Sequence, residues 1–167
     1  GTAGAPAAIS AARHGASTLV VEYLNDLGGV STVGLIGRYH YGYQEGFCKE
    51  IDEGVRRIGG KYAQNGPEWN AQIKQQWFRS RLRDAGADIW FDSIGCGAYV
   101  EDSKVKGVLV ATPYGRGVVL ADVVIDSTGN ADIAMAAGAD YIYTTDKHAA
   151  MQGTGYPPFN LGAMYTN

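Results

Sequence analysis

Gly1, Gly4 and Glu22 have the residue types and the spacing to hold a dinucleotide. Gly1-Thr2-Ala3-Gly4-Ala5-Pro6-Ala7-Ala8 reads as a glycine-rich turn feeding an alanine-rich helix. A helix N-terminus offers unpaired N–H groups and the positive end of a dipole, which suits a pyrophosphate. Glycines let the backbone approach the phosphates and let the helix pack close to a strand. Thr2 and Ala3 lie inside the same turn and share its cofactor-facing assignment. Eighteen residues beyond Gly4, Glu22 closes the apolar run Thr18-Leu19-Val20-Val21. A carboxylate at that separation, on a strand tip, is the expected acceptor for ribose hydroxyls. Alone, Gly-x-x-Gly is often only a tight turn, and a strand-end glutamate is usually solvated. Together, in this order, they favour a nucleotide cofactor.

Two further glycine turns fit the same chemistry. Gly28-Gly29 follows Glu22 closely and can bring backbone against a pyrophosphate or a ring system; a plain loop turn is the competing reading. Val123-Val124-Ile125 reads as a strand buried on both faces. It leads into Asp126-Ser127-Thr128-Gly129-Asn130-Ala131-Asp132, which puts a glycine turn at the carboxyl edge of a parallel sheet, where nucleotides bind in open α/β folds. By itself that stretch is better read as a strand-to-helix connection capped by Asn130 or Asp132.

Outside these turns, Arg38-Tyr39-His40-Tyr41-Gly42-Tyr43 is the stretch richest in chemistry. His40 has a reference pKa near neutrality and is the best single candidate for an acid or base. Arg38 can hold a carboxylate, and the tyrosines can line a pocket. An ordinary tyrosine-rich surface explains the same residues. His14 and His148 read as residues without chemistry, and Trp69, Trp77 and Phe78 as core.

The elements that must position these residues follow from periodicity. A helix is expected from Ala5 to Arg13, with Pro6 tolerated in its first turn and Gly15 closing it. Thr18 to Glu22 is a short buried strand. Leu24 to Gly46 is a long irregular segment. Phe47, Ile51, Val55 and Ile58 recur at helical spacing and predict a helix from about Gln44 to Ile58, closed by Gly59-Gly60. Trp69, Ile73, Trp77, Phe78 and Leu82 predict another from Pro67 to Ala85. Short strands then follow at Asp88–Phe91, Gly97–Glu101, Val105–Thr112 and Arg116–Leu120, the last three forming an antiparallel meander. A short helix from Ile133 to Ala137 ends the pattern.

Composition narrows the class. The 167 residues suffice for one domain with a real core. Fourteen Lys and Arg stand against 17 Asp and Glu, so no basic excess suggests nucleic acid. No apolar run is long enough to span a bilayer. No signal peptide is visible, and the cytoplasm is the default expectation. Cys48 and Cys96 are too few and too far apart for a disulfide framework or a metal site.

Gly1-x-x-Gly4 with Glu22, the Gly28-Gly29 pair, and Ile125-Asp126-Ser127-Thr128-Gly129-Asn130-Ala131-Asp132 together resemble the glutathione-reductase-like superfamily of FAD-dependent oxidoreductases. In the last motif Ser127 stands in the alanine place of the superfamily's Ala-Thr-Gly. The resemblance covers most of residues 1 to 140. It implies an α/β fold: a Rossmann-like FAD-binding domain over residues 1–141, with a small antiparallel meander, and the start of a further region at 142–167. It implies FAD as cofactor and a small-molecule substrate. Gly1 and Gly4 would face the pyrophosphate, and Glu22 the adenosine ribose. Gly28 and Gly29 would approach the ribityl chain or isoalloxazine. Gly97 to Val100 would lie near adenine, and Thr128 and Gly129 close to the cofactor. The superfamily's first strand and first fingerprint glycine do not precede Gly1. The chain is therefore expected to be a fragment whose missing strand comes from a segment of its own protein outside this sequence, a retained cleavage product or a neighbouring chain. A nucleotide-binding or interaction module without redox chemistry, and an NAD-dependent dehydrogenase, are the alternatives; the second leaves Gly28-Gly29 and Thr128-Gly129 unexplained.

Overall fold

The computed structural model describes residues 1–39, 44–66 and 68–141. Helix α1, Gly4–Arg13, is followed by strand β1, Leu19–Val21. Helix α2, Phe47–Gly59, and the two-residue strands β2, Gln64–Asn65, and β3, Glu68–Trp69, lead to helix α3, Ala71–Asp84. Strand β4, Asp88–Trp90, precedes the meander β5, Ile94–Glu101, β6, Lys104–Thr112, and β7, Gly115–Leu120. Helix α4, Asp132–Ala136, comes last.

β1 and β4 pair in parallel, Val20 opposite Ile89. The ladder runs on past both ends, from Asp88 N to Thr18 O at 2.9 Å and from Ser93 N to Glu22 O at 3.1 Å. A parallel pair needs a long crossover, and here α2 and α3 supply it. Both pack with α1 on one core of Ala5, Ile9, Leu27, Ile51, Val55, Trp77, Phe78 and Leu82. Close packing is demanded at Gly54, where any Cβ would overlap the Trp77 indole. The meander is antiparallel throughout, with register shifts at Gly95/Gly97 and Tyr99/Val100. α4 lies against β5, where Ile133 packs over Gly95. The architecture is thus α/β with a parallel pair and a separate three-stranded antiparallel sheet, as expected from the sequence.

Several expectations are corrected. The second long helix starts at Ala71, because Asn70 Oδ1 accepts from Gln72 N at 3.0 Å and Ile73 N at 3.2 Å and fixes the cap there. Trp69 therefore sits in β3, ahead of the helix and not on its face; Pro67 lies outside the described residues. α2 starts at Phe47, not Gln44, and Ile58 is 49% exposed, off the buried stripe. β1 is half-buried, not buried. Val123-Val124-Ile125 forms no strand, and Val123 and Ile125 are 76% and 58% exposed. Among the described residues β1 pairs only with β4, and no strand covers Val123–Ile125, so apolar composition alone does not bury this run. Neither Asn130 nor Asp132 caps α4: Ala131 holds that place at φ 59°.

Candidate functional site

The three glycine turns read from the sequence meet in space. Gly29 sits against the first turn so closely that a Cβ there would come within 2.8 Å of Gly1 Cα and 3.0 Å of Thr2 N. Its φ of +54° also favours glycine. Thr2 Oγ1 donates to Gly28 O at 3.3 Å. From the other side, a Cβ at Gly1 would lie 3.0 Å from Ser127 O, and one at Gly4 3.4 Å from Ser127 Cβ. Gly1–Gly4, the buried Gly28-Gly29 pair and Ser127 thus meet at one junction built largely of backbone, with Thr128 and Gly129 exposed beyond it.

Around this surface the donors and acceptors divide. Gly1, Thr2 and Ala3 are exposed. Among the described residues no side chain caps α1, and its first turn holds no acidic residue. That leaves a positive helix end open to an anion. Glu22 supplies the acceptor. Its carboxylate is 8% exposed. Oε1 accepts from Leu24 N at 3.0 Å and Oε2 from the Gly1 nitrogen at 3.1 Å. Two ionised oxygens can accept about four hydrogen bonds, so capacity remains.

The second turn is held from behind. Ser31 Oγ donates to Gly28 O at 2.9 Å, and the fully buried Thr32 donates to Leu27 O. Asp26, 7% exposed, accepts from Leu27 N at 2.8 Å and pairs with Arg79 of α3 at 3.0 Å. Nothing in the local pattern marks Asp26, because its partner is more than fifty residues away.

The third turn is organised by Asp126, which the sequence reading placed in a motif without giving it a task. Oδ1 accepts from Thr128 N at 2.9 Å; Oδ2 accepts from Ile133 N at 3.0 Å and Ala134 N at 2.9 Å. Thr128 Oγ1 accepts from Asp132 N at 3.0 Å. Partial burial pushes the Asp126 carboxyl up, but these bonds outweigh it and hold it below the ordinary range. Thr128 and Gly129 are exposed, Gly129 at φ +92°.

Arg38 stands apart from the three turns, exposed at a cleft that it shares with Tyr39. His40 lies outside the described residues, as does His148. Gly97–Val100 lie within β5. Among the described residues the His14 ring bonds to its own helix, Nδ1 with Ser10 O at 2.8 Å. Trp77 and Phe78 are core; Trp69 is not, since its Nε1 donates to Ser31 O at 2.7 Å and its ring lines the cleft. Cys48 and Cys96 are free thiols.

A family model for FAD dependent oxidoreductases matches residues 1–166. The chain belongs to that family. No curated protein matches it. Among solved structures, a geranylgeranyl bacteriochlorophyll reductase-like protein from Thermoplasma acidophilum is similar at 21% identity, with a TM-score of 0.63 over 88% of this chain and 42% of that one. THI4 of Thermovibrio ammonificans matches at 16% identity and a TM-score of 0.54, over 81% of this chain and 57% of its own. BexE, from BE-7585A biosynthesis, matches at 22% identity and 0.58, over 87% and 33%. These likenesses concern the fold. The chain spans about half or less of the length of these structures. FAD is the cofactor of the FAD-dependent oxidoreductase family, and the three converging turns are the part of this chain whose chemistry fits it.

Proposed function

We propose that the chain forms the FAD-binding domain of an oxidoreductase acting on a small-molecule substrate. The observation that carries this reading is the convergence of three glycine turns beside an uncapped helix N-terminus and a buried carboxylate. N–H donors and a positive dipole end suit a diphosphate, and the carboxylate suits a vicinal diol, so the residues present fit the two halves of the cofactor. Gly1, Thr2, Ala3 and Gly4 bind the pyrophosphate. Glu22 accepts from the adenosine ribose. Gly28 and Gly29 admit the ribityl side, and Thr128 and Gly129 close the surface from the third turn. The bound flavin supplies hydride transfer. The protein's part is to orient it and to exclude competing reactions.

Titration of the intact apoprotein with FAD and FMN tests the assignment. Glu22→Ala should weaken FAD by about 1–3 kcal/mol, the range for a lost charge-assisted hydrogen bond. FMN, which lacks the adenosine ribose, should be indifferent. Equal losses for the two flavins would remove the ribose role, and a colourless protein that takes up neither would remove the whole reading.

A further inference from the structure

A second concavity carries chemistry that the cofactor turns leave unused. It is a cleft of about 250 Å³ between α2 and the β2–β3 segment. Arg38 and Arg56 stand at it, with Tyr39 and Trp69 as aromatic walls and Asp52 as its carboxylate. Among the described residues neither guanidinium has a carboxylate within ion-pair distance. Asp52 is already engaged, its Oδ1 accepting from the Tyr39 hydroxyl at 3.2 Å. Against the same walls lies Lys74, 3% exposed, its Nζ 3.5 Å from the Trp69 ring centroid and 5.4 Å from that of Tyr39. Two guanidiniums therefore face the one carboxylate that lines the cleft, with the Lys74 ammonium against its aromatic walls, and a small cleft with that imbalance concentrates anions.

The shape selects further. Arginine forks match the two oxygens of a carboxylate. The two rings pack against each other, tilted by 55° with 4.7 Å between centroids, and give the cleft an aromatic wall for a flat apolar body. Drug-sized ligands fill roughly 300–1,000 Å³, so a smaller molecule is indicated. The cleft is also tied to the cofactor turns: Trp69 Nε1 holds Ser31 O, and Ser31 Oγ holds Gly28 O.

We infer that this cleft binds a small planar organic acid, its carboxylate held by Arg38 and Arg56 and its flat body against Trp69. Its role as the substrate subsite rests on the flavin reading above; the binding does not.

The test is a titration of the intact FAD-loaded protein with benzoate and with its uncharged counterpart benzamide, followed by binding heat and tryptophan emission. Benzoate should bind saturably, with benzamide weaker by about tenfold or more, as expected when a charge-assisted pair is lost. Arg38→Gln and Arg56→Gln should each weaken benzoate by about tenfold at unchanged flavin absorbance. Both side chains are exposed, so neither change threatens the fold. Failure of benzoate to bind, equal affinity for the two probes, or wild-type affinity in both variants overturns the cleft while the retained flavin leaves the cofactor reading standing. Arginine-dependent benzoate binding in a protein that takes up no FAD supports the carboxylate site and removes its part in flavin chemistry.

Discussion

Gly29→Ala is the sharpest perturbation of the cofactor surface, because it adds one carbon where two backbones touch. Two costs add. An alanine held at φ +54° loses about 1–2 kcal/mol to left-handed strain. The new Cβ would also stand 2.8 Å from Gly1 Cα, 3.0 Å from Gly1 C and 3.0 Å from Thr2 N. All three are main-chain atoms that cannot swing aside. Overpacking of this kind costs about 1–3 kcal/mol. The total is about 2–5 kcal/mol, or roughly 5–15 °C in Tm for a chain of this size. Gly15→Ala is the matched control. Gly15 has φ +87° but no heavy atom within 4 Å of an added Cβ, so it incurs strain without collision. Thermal unfolding with and without FAD, together with flavin content at 450 nm, gives the comparison. Gly29→Ala should melt lower than Gly15→Ala and lose its flavin, whereas Gly15→Ala should keep it. Equal melting and equal flavin content in the two variants would refute the contact between the first and second turns.

Asp126→Asn should loosen the third turn, since an amide cannot accept on both sides from Thr128, Ile133 and Ala134; about 1 kcal/mol is expected for a lost cap, read as faster amide exchange over residues 126–138. Because the folded carboxyl is held below its ordinary value, its contribution is complete above the unfolded pKa near about 4 and fades as pH falls through the folded value; Asp126→Asn should lack this response. Lys74 gives a second rise with pH, at the alkaline end, but by disfavouring its charged form. Burial lowers it to about 8, with the charge of Asp52 on α2 opposing that fall, so between pH 8 and about 10.4 the unfolded chain binds a proton that the folded chain does not. Urea unfolding should therefore show stability rising across that window by about 1–3 kcal/mol, and Lys74→Met, which keeps the contacts with the rings of Tyr39 and Trp69, should flatten the rise. A wild-type curve that falls over the same range would remove the buried ammonium from the account.

What could be read in advance and what could not divide by the range of the interaction. The α1 turn, the meander and the placement of Glu22 at a strand tip depend on residues near one another in sequence, where spacing and turn residues carry the information. The convergence of Gly29 with Gly1 and of Ser127 with Gly4 involves residues far apart; the glycines mark points of close approach, but only the family resemblance implies that the turns share one ligand. Trp69 was misread because apolar spacing continues smoothly through it into α3. Only the Asn70 cap, which acts on two backbone N–H groups, separates them. Val123–Ile125 was misjudged for a different reason. Burial depends on what lies alongside, and three apolar residues do not say what that is. Asp26 with Arg79, and Lys74 over the Tyr39 ring, leave no local signal because their partners lie far away in the chain.

The junction of the three turns has a consequence for how such a surface can change. Its contacts run through main chain, with glycine at the points of closest approach, so the information that fixes its shape resides where side chains are missing. Ala3 is exposed on that scaffold and its side chain holds no hydrogen bond within it, unlike the Thr2 and Thr128 hydroxyls, which bond Gly28 O and Asp132 N. Substitution at Ala3 can alter what the surface presents to a ligand without breaking a bond of the frame, whereas the smallest enlargement at Gly29 cannot. Diversity in recognition and rigidity of frame are thereby assigned to different residues of the same few turns.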